Sequence, residues 1–142
     1  MADHDLTLRR YLETCDESAD QELRAFVLAR GEEFTRQPYP QDGPRIQPLG
    51  ECFQQSILAS INAQLAYVEG FALAPDGVHH HAWCADERGR VVDCTWGEHG
   101  LAYFGVRLPD DFLNLRWQEL RVSWVPQKEY ALLPSFIAEQ GD

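Results

Sequence analysis

Residues 67 to 96 hold three β-rich segments separated by two turns that each end in glycine, Pro75-Asp76-Gly77 and Glu87-Arg88-Gly89. Connections this short join only antiparallel neighbours, so 67–74, 78–85 and 90–96 are expected to form a meander. Parity then decides which side chains share a face. With three residues in each turn, Ala74 pairs with Val78 and Asp86 with Arg90. Phe71 then faces His81, Glu69 faces Trp83, and Trp83 faces Asp93 with His81 one diagonal step away. One face is expected to display Glu69, Phe71, His79, His81, Trp83 and Asp93, while His80, Cys84 and Cys94 point the other way, the two cysteines as core thiols.

The meander is preceded by a helical pattern. From Gly50 to about Ala66, Phe53, Ile57, Leu58, Ile61 and Leu65 recur at helical spacing, and a second stripe is small: Cys52, Ser56, Ala59 and Ala63. A stripe of small side chains lets another element approach closely, and the expected visitor is the sheet face that carries His81. Upstream, residues 5–34 read as helix, with Ser18 and Gln21 as a capping box, Leu23, Phe26 and Val27 as an apolar stripe and Gly31 as the stop. Residues 37–50 contain four prolines and read as an ordered loop. Downstream, a strand at 103–108, a helix from Asp110 to Glu119 and a strand at 120–125 are expected, with 126–142 unassigned. At 142 residues one domain is expected: a helical layer over 1–36, the loop over 37–50, a core over 51–108 and a C-terminal part over 109–142.

The core carries a chemical pattern. A cysteine at a helix head has its thiolate favoured by unpaired N–H groups and the helix dipole, an imidazole against it serves as base, and a carboxylate beside the imidazole fixes its tautomer. Cys52, His81 and Asp93 fill these roles in order. The segments Gly50-Glu51-Cys52-Phe53, His80-His81-Ala82-Trp83 and Val91-Val92-Asp93-Cys94-Thr95-Trp96 resemble the transglutaminase-like core of the papain-like cysteine superfamily over roughly residues 45–108. Cys94 stands where a proline commonly follows the aspartate. The resemblance implies an α+β fold, with N-terminal helices and a central cysteine-bearing helix packed on a twisted antiparallel sheet. It also implies thiol chemistry on amide carbonyls: proteolysis, deamidation or acyl transfer to an amine. Gln47 resembles the upstream glutamine of papain-like enzymes, so its side-chain amide could join the Cys52 N–H as an oxyanion donor. Trp83 and Glu69 are candidate substrate contacts on the His81 face, although Trp83 as core and Glu69 as a rim carboxylate are the plainer readings.

Charge narrows the partners. Lys and Arg number 12 against 23 Asp and Glu, a net charge of -11 that repels phosphate backbones and favours basic peptide or protein substrates over nucleic acid. No apolar run approaches the ~18 residues of a membrane span. The acidic, polar start argues against a cleaved leader, and four dispersed cysteines without a C-x-x-C pair suit a reducing cytoplasm. No cofactor is required by thiol chemistry. Two rival readings stay open: a metal site built from His79, His81 and Cys52, and a binding or inhibitory protein that keeps the fold without turnover.

Overall fold

The structure, a computed structural model, describes residues 3–14, 21–121 and 130–140. In chain order the elements are α1 (Asp3–Thr14), α2 (Gln21–Arg30), β1 (Glu32–Phe34), α3 (Cys52–Ala63), β2 (Ala66–Ala74), β3 (Gly77–Ala85), β4 (Val91–Val92), β5 (Ala102–Arg107), α4 (Asp110–Leu120) and α5 (Leu133–Glu139). The strands form one antiparallel sheet in the order β1-β5-β2-β3-β4. A parallel bridge from Thr35 to Arg90 ties the end of β1 to the start of β4, so the sheet curls and its two edges meet. The architecture is therefore mixed α+β.

Curling gives the sheet an inner and an outer face with separate cores. Inside, Phe34, Val68, Ala72, Trp83, Ala85, Val91 and Tyr103 pack together. Outside, Leu8 and Leu12 of α1, Val27 of α2, Ile57 of α3, Leu113 of α4 and Leu133 of α5 pack on Tyr67, Phe71, Ala82, Phe104 and Val106. Tight curling is possible because glycines meet at one point of the inner face: Gly70 pairs with both Gly105 and His81. A Cβ on Gly70 would lie 2.3 Å from the Phe104 carbonyl oxygen, and one on Gly105 would lie 2.9 Å from the Trp83 ring.

Several expectations are corrected. The first hairpin has a two-residue loop, because Pro75 and Asp76 alone make the turn and Gly77, at φ +131°, is drawn into the ladder opposite Ala74. That one-residue slip moves Glu69 and Phe71 to the outer face with His80, since side chains alternate with period two. The second turn has the expected three residues, with Cys84 opposite Val92 and Ala85 opposite Val91. The strand expected over 90–96 stops at Val92, where the Asp93 carboxylate takes the N–H groups of Thr95 and Trp96 and bends the chain out of the ladder. Within 5–34 two helices are described, α1 and α2; α2 ends at Arg30, and β1 follows. Gln64, at φ 57°, ends α3 three residues before the expected strand. The proposed cap at Ser18 and most of the strand at 120–125 fall outside the described residues; Leu120 itself closes α4.

The outer face also gains an element where no assignment was made. Glu69, fully buried, accepts hydrogen bonds from Tyr67 Oη at 2.6 Å and from the N–H groups of Leu132 and Leu133, and so pins the start of α5 to β2. It is not a rim carboxylate.

The glycine contact generates a stability test. Gly70→Ala should cost about 3 kcal/mol in urea unfolding, because the clash is with backbone that cannot step aside. A loss below ~1 kcal/mol would show that the strands separate easily there.

Candidate active site

Asp93 is the centre of the polar arrangement. It is wholly buried and accepts hydrogen bonds from His81 Nε2 at 2.7 Å, Tyr103 Oη at 2.8 Å, Trp96 N at 3.0 Å, Thr95 N at 3.2 Å and Thr95 Oγ1 at 3.3 Å. Burial opposes its ionisation, but the charge and hydrogen bond of His81, the Trp96 N–H and the Tyr103 hydroxyl outweigh that, and the carboxyl lies below its ordinary range. An ionised carboxylate only accepts, so His81 Nε2 carries the proton and Nδ1 is left as the basic nitrogen. The same carboxylate, after burial, holds the Tyr103 phenol far above its usual range.

The His81 ring is 1% exposed and lies between two indoles. Trp96 stacks on it with centroids 3.8 Å apart and planes at 20°, and Trp83 lies 5.9 Å away at 25°. Trp83 is itself fully buried, in contact with Phe34 and Tyr103, with no partner for Nε1 among the described residues. It backs the histidine and presents no surface to a substrate. Trp96 is legible in the sequence only as the end of V-D-x-T-W and Tyr103 only as the start of a strand; neither pattern announces that one covers the imidazole and the other holds its carboxylate.

Cys52 reaches this site from an unexpected direction. Its helix packs on the outer face, not on the face bearing His81, because Phe53 and Ile57 of its broad stripe join the outer core. The small stripe instead lies along the edge of β3. Asp86 N bonds Arg90 O across the hairpin, and by two-residue alternation Ala82 offers its N–H and C=O to the same side. β4 has ended by then, and α3 takes the place of the missing strand. Ser56 Oγ donates to Ala82 O at 3.2 Å, Cys84 Sγ donates to Ser56 O at 3.3 Å, and the Ala82 backbone hydrogen-bonds the Cys52 sulfur. Ala59 closes the stripe against Cys84, Val92 and Cys94. Cys52 is thus joined to the strand through the peptide next to His81, and no hydrogen bond links Cys52 directly to His81.

The thiol is not lowered as its helix-head position suggested. Burial pushes Cys52 up to about 11; backbone N–H bonds from Ala82 and Phe53 pull it down, while the charges of Asp93 and Glu69 push it up again. Burial, reinforced by two buried carboxylates that disfavour a third negative charge nearby, outweighs the N–H groups. Cys52 is half-buried, whereas Cys84 and Cys94 are buried with Ala59 and Val92.

The remaining candidates fall elsewhere. Gln47 N donates to Cys94 O at 2.6 Å, and Gln47 Nε2 donates to Arg45 O at 3.1 Å, so that amide serves its own loop. Gln47 lines a cavity of about 370 Å³ along α3 with Gln55, Asn62 and Cys94, and Cys52 is not among its walls. His79 shares the inner side with His81, as expected, but points out to Asp76 Oδ1 at 2.8 Å and touches the edge of Trp96. Among the described residues no three His, Cys, Asp or Glu side chains converge to hold a metal ion, and no helix is long and apolar enough to cross a membrane.

A protonated resting thiol has a kinetic signature. Iodoacetamide labelling of Cys52, followed by peptide mapping, should accelerate about tenfold per pH unit from about pH 7 to pH 10, because the thiolate fraction does. A rate already level at pH 7 would mean that a thiolate is stabilised there after all.

No protein-family model matches the chain, and no curated protein and no solved structure matches it.

Proposed function

We propose that the protein is a cysteine-dependent acyl-transfer enzyme acting on amide carbonyls, with Cys52 as nucleophile, His81 as proton carrier and Asp93 as the group that orients His81. The observation that carries this reading is the 2.7 Å His81–Asp93 pair on the strand whose next peptide binds the Cys52 sulfur at the head of α3. The order of the three residues along the chain and their placement on helix, strand and following turn agree with the papain-like, transglutaminase-like pattern.

Because the resting thiol is neutral, its proton leaves during attack. The Cys52 sulfur forms a bond to the amide carbon while its proton passes to His81 Nδ1, the nitrogen that Asp93 leaves free. The tetrahedral intermediate collapses with cleavage of the C–N bond, and His81 returns the proton to the departing nitrogen. A thioester on Cys52 remains, to be released by water or an amine. Asp93 keeps its charge throughout and holds the imidazolium that forms. The N–H groups at the head of α3 are the available oxyanion donors. The excess of acidic residues favours basic substrates at the stage of encounter.

The raised thiol favours a second reading, a protein that keeps this site without turnover. An activated ester separates the two. With p-nitrophenyl acetate near pH 7.5, the enzyme should release a burst of about one p-nitrophenolate per chain, absent from Cys52→Ser and slowed about a hundredfold in His81→Asn. A linear release identical in all three proteins would leave the inactive reading standing.

A further inference from the structure

A second histidine–carboxylate pair lies on the same strand, on the opposite face. His80 Nε2 is 3.7 Å from Glu69 Oε1, and it is buried without a hydrogen-bond partner among the described residues. Its ring packs against Phe53, the residue after Cys52, at 5.0 Å, and against Phe71 at 5.7 Å. Glu69 is held by Tyr67, Leu132 and Leu133, and its charge acts on the Cys52 thiol along with that of Asp93. The carboxylate facing His80 is therefore Glu69, whose charge also acts on the Tyr67 phenol of β2 and the Cys52 thiol of α3. The carboxylates of two such pairs, one on each face of β3, thus act on one thiol at the strand edge.

The two histidines differ in access. The His81 side chain is 2% exposed and covered by Trp96, whereas the His80 side chain is 25% exposed. Of the two imidazoles, His80 is the one open to solvent. Resting on the reading above, we propose that His80, backed by Glu69, is the general base for the acceptor half of the reaction, with His81 serving the acylation half. Glu69 favours the tautomer with the proton on Nε2, which leaves Nδ1 to take the proton of the incoming water or amine. The acceptor's lone pair forms the new C–O or C–N bond and the C–S bond breaks. Sulfur leaves with the electron pair and takes the proton back from His80, so the step balances as thioester plus acceptor giving product plus thiol. The positive charge that His80 carries in between is matched by Glu69.

The test follows acylation and release separately with p-nitrophenyl acetate, using His80→Asn and His80→Phe, the latter to fill the slot between Phe53 and Phe71 without a titratable nitrogen. Both should keep the burst and slow the later steady release at least tenfold, a modest share of what a general base contributes. Hydroxylamine, an acceptor that needs little help losing its proton, should restore release to within about threefold of the parent protein. A merely structural role would not produce that rescue. Unchanged steady release in both variants overturns the proposal while the thiol mechanism stands. Loss of the burst itself in both overturns the division of labour between the histidines. A parent protein with no burst overturns the thiol mechanism and this proposal with it.

Discussion

The buried charge of Asp93 is the constraint on which the site depends. Five hydrogen bonds from four residues converge on one carboxylate, and they come from three parts of the chain: His81 on β3, Thr95 and Trp96 in the turn beyond β4, and Tyr103 on β5. A buried carboxylate without such partners would give up its charge or cost several kcal/mol. Here the partners make ionisation easier than in water, which ties the histidine tautomer, the Trp96 turn and the inner core of the curled sheet to one another. The turn that carries Trp96 over His81 is held by the carboxylate that orients His81.

The same turn determines where Cys52 sits. Because Asp93 draws the chain away after Val92, β3 has a stretch of edge with no strand beside it. A buried strand edge must have its N–H and C=O groups satisfied, and the first turns of α3 do so with Ser56 and Cys52. The serine and cysteine of the small stripe are thus polar substitutes for a strand as much as small residues, and the sulfur is placed beside the His81 peptide by backbone hydrogen bonding. This placement has an electrostatic cost. Burial, then Asp93 and Glu69, raise the thiol, so the proposed reaction needs a proton acceptor at the moment of attack rather than a standing ion pair.

Legibility in the sequence followed the strength of local signals. The α3 helix could be read from the helical spacing of its apolar residues, and the second hairpin and the His81–Asp93 pairing because Glu87-Arg88-Gly89 is a turn whose length is unambiguous and whose glycine, at φ +76°, takes the expected conformation. The first hairpin misled because Gly77 could close the turn or join the ladder, and one residue of slip exchanged the surroundings of Glu69 and His80. β1 escaped because three residues carry no period. α5 escaped because its start is fixed by a carboxylate more than sixty residues upstream, which no local pattern records. The thiol's surroundings escaped for the same reason: a helix head is a local feature, whereas burial and two distant carboxylates are products of the fold.

The central claim is that Asp93 holds the His81 Nε2 proton and leaves Nδ1 basic. Long-range ¹H–¹⁵N correlation spectra of His81 between about pH 7 and pH 9 read this directly, because the two ring nitrogens have distinct shifts in each tautomer. A protonated Nε2 and a bare Nδ1 are expected, with alkylation of Cys52 disturbing Nδ1 more than Nε2. A His81 that carries its proton on Nδ1, or whose Nδ1 does not respond to Cys52, would contradict it.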